Sequence, residues 1–224
     1  MSVNQQIYAT ALALAFAIVF FALSDIDILA QDLFYDHSTH KWILDWALQP
    51  YRFIFYDGAK KALIAFALSF LVALIFFRNK QLLKEYKKGV IIVILSAIFV
   101  PSIVGLIKDN SNMPCPKDEI HYDGVYPRTA VWESYPLDFE KPQTKCWPAG
   151  HASGGFALMS LFFLFKKRKN KFIALGVAMA VAWSMGLYKM IIGDHFLSHT
   201  FITMILAWLI ILIIFKIVNF KFNT

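Results

Sequence analysis

Apolar residues occur along the chain in six long blocks separated by polar stretches, and not at the spacing of a one-sided amphipathic helix. The blocks cover approximately residues 7–23, 62–77, 89–107, 151–165, 172–192 and 196–215. About 17 to 25 apolar residues cross a hydrocarbon core of about 30 Å as a helix, because lipid offers no partner to free backbone polar groups. The pattern predicts an all-α, polytopic membrane protein with six transmembrane helices.

Composition agrees with this prediction, since 58% of the 224 residues are hydrophobic and 22 of them are phenylalanine. No internal repeat, low-complexity tract or linker divides residues 1–224, so one transmembrane domain is expected. The first block follows MSVNQQ, which lacks a basic region, and no small-residue cleavage pattern comes after it. That block is therefore predicted to be a retained helix and not a signal peptide.

Basic residues indicate the orientation of the spans. Residues 78–88 and 166–171 each carry five Lys or Arg, and the tail adds Lys216 and Lys221. Six spans place these segments and the N-terminus on one side, which the positive-inside rule assigns to the cytoplasm. The net charge of +7 is then explained by basic residues that lie at the cytoplasmic surface of the membrane. The loops are too short for a basic nucleic-acid groove, so no nucleic-acid partner is expected.

Two long polar segments are predicted on the opposite side. In residues 24–61, Trp42 and Trp46 are four positions apart and predict an interfacial helix. The simpler interpretation of this helix is a membrane anchor, and the alternative is a gate through which lipid enters. Residues 108–147 are rich in Pro, Tyr and charge and predict an ordered loop.

Both cysteines, Cys115 and Cys146, lie in this second segment. On an oxidising side of the membrane they are able to form a disulfide, although two unpaired thiols remain an alternative. Closing a loop of about 30 residues would stabilise the fold by roughly 3–4 kcal/mol.

Basic and imidazole side chains gather at one predicted membrane face, although they belong to three separate elements. They are Lys108, His151, Lys189, His195 and His199. His195 and His199 share a helix face at spacing i, i+4. Neutral imidazole attacks phosphorus near neutral pH, and a second imidazole is able to act as acid and base. Lysines and the backbone N–H at Gly150, before the fourth span, would stabilise phosphate oxygens.

Three segments carry a resemblance to a known family. KDNSNMPCP (108–116), PAGH (148–151) and YKMIIGDHFLSH (188–199) resemble the motifs Lys-x6-Arg-Pro, Pro-Ser-Gly-His and Ser-Arg-x5-His-x3-Asp. These are the motifs of the type 2 phosphatidic acid phosphatase (PAP2) superfamily, whose membrane members have six spans. The resemblance implies a phosphate-attacking His195 and an acid His151. It also implies that the phosphate ligands are Lys108, Lys189 and the Gly150 N–H, without metal or organic cofactor.

Four positions depart from these motifs. Cys115 replaces an arginine, Ala149 a serine, Lys189 an arginine and His199 an aspartate. Lys189 keeps the charge but loses the planar fork of arginine. A neutral His199 would still orient His195, and Arg128 in the same loop is the candidate to replace the missing arginine. The chain also resembles a bacterial subgroup with a Cys-Pro first motif, a Pro-Ala-Gly-His second motif and a closing histidine.

The resemblance implies a lipid-phosphate phosphohydrolase that works through a phosphohistidine at the periplasmic face of a bacterial inner membrane, with both termini cytoplasmic. Its partners would be the bilayer and a membrane lipid phosphate. A lipid phosphotransferase of the same mechanism and a non-catalytic transporter or binding homologue remain alternatives, although transporters place polar groups near the midplane. A third alternative is a metal-dependent enzyme that uses His151, His195 and His199 as ligands.

Overall fold

The structure is a computed structural model that describes residues 1–136, 139 and 141–223. Seven α-helices and one short hairpin appear in this part of the chain. The α-helices are α1 Val3–Leu23, α2 Ile26–Gln31, α3 Gly58–Phe76, α4 Gln81–Asp109, α5 Gly150–Ala157, α6 Arg168–Ile191 and α7 Leu197–Asn223. The strands are β1 Tyr35–Asp36 and β2 Lys41–Trp42, which pair in antiparallel register. A π-helical turn, Phe53–Asp57, leads into α3, and further 3-10 turns are Asp32–Phe34, Pro116–Asp118, Ile120–Tyr122 and Leu158–Phe163.

Five helices of the described chain are long and apolar enough to cross a membrane. They are Val3–Leu23, Phe53–Phe76, Gln81–Asp109, Arg168–Ile191 and Leu197–Phe222. The prediction of an all-α, polytopic membrane protein is confirmed. The predicted helices at 7–23, 62–77, 89–107, 172–192 and 196–215 correspond to these five, and three of them extend one residue beyond the observed span.

The sixth predicted helix differs, because α5 ends after 8 residues and continues as the 6-residue 3-10 helix Leu158–Phe163. A rise of about 1.5 Å per α-helical residue and about 2.0 Å per 3-10 residue gives this pair about 24 Å of length. One end packs beside α4 at Gly150 and Lys108, and the other at Leu164 and Gly89. The pair therefore crosses the bundle alongside α4, despite being short and irregular.

Small residues allow α5 to occupy the centre of the bundle. Ala152 and Phe156 of α5 are almost completely buried among α4, α6 and α7. A Cβ at Gly155 would lie only 2.7 Å from the Cα of Ala182 in α6, so the two helices approach as closely as their backbones permit. Small residues at membrane helix interfaces permit such close contact. The polar start of α5 is thereby fixed between the ends of α4 and α6.

The interfacial helix predicted around Trp42 and Trp46 is wrong, because Trp42 belongs to β2 and Trp46 to an irregular turn. The Trp42 indole packs on Tyr35, with ring centroids 4.8 Å apart, and fills the space beside Gly193. Gly193 has φ +76°, a conformation that favours glycine. The Arg52 guanidinium covers the Trp46 ring at 3.8 Å. These tertiary contacts outweigh the local helical spacing.

Candidate active site

A cavity of about 510 Å³, here called the polar cavity, lies at the end of the bundle where α4 and α6 finish and α5 begins. Five of the predicted catalytic and phosphate-binding residues line it: Lys108, Gly150, His151, Lys189 and His195. The structure thus brings together residues of all three motifs. Its other lining residues are Tyr56, Lys60, Leu63, Ile64, Ala97, Pro101, Cys115, Cys146, Met185 and Asp194.

His195 lies in the short connection between α6 and α7, where its side chain is buried. Its Nδ1 is 3.2 Å from Nδ1 of His199, so one of these two nitrogens donates a hydrogen bond to the other. Burial lowers the pKa of His195 well below its ordinary value of 6.5, and the positive charges of Lys108 and Lys189 lower it further. The imidazole of His195 is therefore neutral at physiological pH.

His199 lies in the first turn of α7 and is fully buried. Its Nε2 has no hydrogen-bond partner among the described residues. The following turn of α7 is connected to the start of α5, because the Ala149 N–H donates to Oγ1 of Thr203 at 2.9 Å. The Thr203 hydroxyl in turn donates to the His199 carbonyl at 2.6 Å. The contact fixes the two helix starts that carry the candidate acid and nucleophile.

His151, the second residue of α5, contacts the turn that leads into α3. Its Nε2 is 3.1 Å from the carbonyl oxygen of Phe55, so this nitrogen carries a proton and donates it. Its ring stacks on Tyr56 with centroids 4.3 Å apart, and the Lys189 ammonium lies 4.1 Å from the same Tyr56 ring. Tyr56 thus holds a catalytic candidate and a phosphate-ligand candidate in place. Sequence reasoning missed it, although aromatic residues at a span end are typical of a membrane interface.

Asp194 joins two lysines at the edge of the cavity. Its carboxylate oxygens lie 2.6 Å from the Lys189 ammonium and 2.7 Å from that of Lys117. Burial alone would raise the pKa of Asp194, but Lys189 and Lys117 outweigh it and the pKa is lowered, so the group is charged. Sequence reasoning also missed Lys117, which directly follows the Cys-Pro pair, and Lys60, which lines the cavity from α3.

The predicted disulfide between Cys115 and Cys146 is present, and both cysteines line the polar cavity. It joins the first motif to the residues just before the second. Cys146 Sγ lies 3.6 Å from Nδ1 of His195, but a disulfide sulfur is not available as a thiolate ligand for a metal. Within the described chain, the ligand atoms of His151, His195 and His199 do not all approach within 4.8 Å of one another, which gives the three-histidine metal alternative no support.

Arg128 is not at the polar cavity, so the structure does not bring this predicted phosphate ligand to the site. Its guanidinium donates to Oδ1 of Asp25 and to the carbonyl of Ser24, both at 3.1 Å. It lines a separate cavity beside Asp27 and Trp147. The reason is that the loop turns back toward the start of α2 after the Ile120–Tyr122 turn, which carries Arg128 away from His195.

A family model described as the PAP2 superfamily matches residues 89–223. The match runs from α4 to α7 and includes all three motifs, whereas Tyr56 and Lys60 lie outside it. Comparison with curated proteins and with solved structures gives no match. Because the family model covers more than half of the chain and contains its candidate catalytic residues, the chain belongs to the PAP2 superfamily.

Proposed function

We propose that the protein hydrolyses the phosphate ester of a membrane lipid through a phosphohistidine on His195. Its superfamily supports a phosphatase-type function on lipid-like substrates in general. The observation that carries the finer proposal is the Nδ1 to Nδ1 contact of His195 and His199 at the wall of a lysine-lined cavity. With the Nδ1 proton of His195 donated to His199, the electron pair of His195 Nε2 is left for attack on phosphorus.

The reaction then has two balanced steps. His195 Nε2 forms a bond to phosphorus while the bond from phosphorus to the lipid oxygen breaks, and His151 gives a proton to that oxygen. Because Nε2 of His151 donates to Phe55, Nδ1 carries the transferred proton, so His151 begins this step as the imidazolium and ends it as neutral imidazole. In the second step water attacks phosphorus, His151 takes its proton, the P–N bond breaks and inorganic phosphate leaves.

Charge in the cavity supports binding of a phosphate. Lys60, Lys108 and Lys189 line it, and the Gly150 N–H adds a donor at the start of α5. Lysine ammonium has three donors, so Lys189 is able to contact phosphate while it remains on Asp194. These groups would stabilise the negative charge that develops on the non-bridging oxygens in the transition state.

An apolar cavity next to the polar one supports a lipid substrate. Its volume is about 270 Å³, it lies between α3, α4 and α5, and it shares Leu63, Ile64 and Ala97 with the polar cavity. A phosphate in the polar cavity would place an acyl or prenyl chain along these residues, within the hydrocarbon layer.

Two features at opposite ends of the bundle support an active site on the outer face of a bacterial inner membrane. The Cys115–Cys146 disulfide lies at the cavity end, and disulfides persist in oxidising compartments. The basic segments 78–88 and 166–171 meet at the other end, where Lys166 pairs with Glu85 at 2.8 Å. Positive charge of this kind is typical of the cytoplasmic side, which supports a cytoplasmic position for both termini.

The proposal is tested by incubating detergent-purified protein with phosphatidic acid, phosphatidylglycerol phosphate, polyprenyl diphosphate and lipid A phosphates, and measuring inorganic phosphate. We expect release from at least one lipid, a loss of at least about 1000-fold in His195→Ala and of about 100-fold or more in His151→Ala. His40→Ala is the matched control and should retain activity. Wild-type turnover in His195→Ala contradicts the nucleophile, transfer to an added acceptor lipid indicates a phosphotransferase, and no turnover with any lipid indicates a non-catalytic homologue.

A further inference from the structure

Three of the six histidines have no part in the proposed mechanism, and all three lie near the β1–β2 hairpin. His37 lies between the two strands and His121 lies in the 3-10 turn Ile120–Tyr122. Both approach Asp32, the first residue of the 3-10 turn Asp32–Phe34. None of these three residues lines the polar cavity.

The three side chains have the geometry of a transition-metal site. Nε2 of His121 lies 3.1 Å and Nε2 of His37 lies 3.3 Å from the same oxygen, Oδ1 of Asp32. All three ligand atoms lie within 4.8 Å of one another. A tetrahedral zinc ion with bonds of about 2.0–2.1 Å separates its ligand atoms by about 3.3 Å. Two edges of the triangle already have this length.

The surroundings of Asp32 also fit a metal ligand. The Tyr122 hydroxyl donates to Oδ1 of Asp32 at 3.0 Å, so three groups converge on one carboxylate oxygen. A carboxylate oxygen offers about two acceptor positions, which is fewer than three N–H and O–H donors require. A cation bound by the two imidazoles and Asp32 would replace the two imidazole hydrogen bonds to Oδ1. The Tyr122 hydroxyl would then remain as the hydrogen-bond donor that orients the carboxylate.

We propose that Asp32, His37 and His121 bind a divalent transition metal ion, zinc by preference, at a site separate from the catalytic cavity. The three side chains are 36%, 50% and 45% exposed, which permits access from solvent and a water molecule as fourth ligand. Asp32 and His37 belong to the segment before α3, whereas His121 belongs to the loop between α4 and α5. The metal cross-links these two segments in the folded state and stabilises them.

The experiment uses full-length protein without a polyhistidine tag, stripped of metal in detergent and titrated with zinc chloride by calorimetry. We expect one site in the wild type and a loss of affinity of more than about 100-fold in His37→Ala/His121→Ala, because removing ligands exceeds the range of outer-shell changes. Tyr122→Phe should weaken zinc about tenfold. Cobalt in place of zinc should give the visible absorption of a tetrahedral site in the wild type, and His37→Ala/His121→Ala should lose it.

Three controls make the result decisive. His40→Ala removes a neighbouring histidine that contacts Asp123 and should bind zinc as the wild type does. His195→Ala should retain the site, whereas loss of zinc there with retention in His37→Ala/His121→Ala overturns the proposal. Zinc should raise the melting temperature of the wild type and not that of the double variant, whose metal-free circular dichroism should match the wild type. Absence of binding to folded wild type at micromolar zinc also overturns it.

Discussion

His195, just before α7, and His199, in its first turn, face each other through their Nδ1 atoms at 3.2 Å. Because only one of the two nitrogens carries the shared proton, His199 determines which nitrogen of His195 keeps a free electron pair. His199 is fully buried, and its Nε2 has no hydrogen-bond partner in the described part of the chain. The side-chain hydrogen bond of His199 is therefore made by Nδ1 to His195, which supports a role for His199 in orienting the nucleophile.

This relationship predicts different results for two substitutions of His199. Asparagine places an acceptor oxygen close to the position of Nδ1, so His199→Asn should retain most of kcat. His199→Ala has no acceptor, and we expect kcat to fall about 100-fold with KM nearly unchanged, because the tautomer of His195 is no longer fixed. The measurement is kcat and KM for phosphate release from the best lipid. Equal losses in both variants would indicate a packing role.

Lys108 should control both substrate affinity and the acid limb of the pH profile. The pKa of His195 is lowered by burial and then by neighbouring positive charge that includes Lys108. His195 must be neutral to attack, so Lys108→Gln should raise its pKa and move the loss of activity to higher pH. KM should also rise at least about tenfold, the cost of losing one charged hydrogen bond. The exposed Lys61 provides the control Lys61→Gln, and an acid limb that stays in place contradicts the assignment.

Ala67 lines the apolar cavity between α3 and α4 but not the polar cavity, so a larger side chain there should obstruct the lipid chain and not the phosphate. Ala67→Phe should raise KM about tenfold or more for a long-chain substrate, equivalent to about two CH₂ groups kept in water. A short water-soluble phosphate ester should be hydrolysed at the wild-type rate. Ala65→Phe, on an exposed face of the same helix pair, is the control. Equal losses for both substrates would show that the apolar cavity does not bind the chain.

The Cys115–Cys146 disulfide closes a loop with a sequence separation of 31. Its removal in Cys115→Ser/Cys146→Ser should lower stability by about 3–4 kcal/mol through the greater freedom of the unfolded chain. Activity should fall as well, since Cys146 contacts His195. Thermal unfolding in detergent checks the first expectation. Reductant should lower the melting temperature of the wild type to that of the variant, and a wild type that does not respond contradicts a structural role.

Glu119 should make stability fall as pH rises. Both of its carboxylate oxygens are buried without a hydrogen-bond partner among the described residues, and burial raises its pKa from 4.5 to about 7. Between pH 4.5 and about 7 the folded protein therefore keeps a proton that the unfolded chain has released. Above pH 7 the buried charge lowers the free energy of unfolding by up to about 3 kcal/mol. Glu119→Gln should melt at higher temperature than the wild type above pH 7 and equally below 4.5. The exposed Glu133→Gln should show no such difference.

The sequence alone determined what depends on local pattern. Apolar run length gave the membrane class and five of the six helices, since a span must satisfy its own backbone hydrogen bonds. Motif spacing gave Lys108, Gly150, His151, Lys189 and His195, which the structure gathers around one cavity. The i, i+4 spacing predicted that His195 and His199 meet, and they do, although His195 lies just before the first residue of α7 and not on the helix itself.

Tertiary structure decided the contacts between distant segments. His151 meets Phe55 across 96 positions and His121 meets Asp32 across 89, and no periodicity specifies either pairing. In the loop between α4 and α5, Lys117 lies at the edge of the cavity and Arg128 lies away from it. The disulfide and the turns that follow it determine these positions because they set the direction of the chain. Helix spacing is a property of neighbouring residues, whereas these placements depend on how the whole bundle packs.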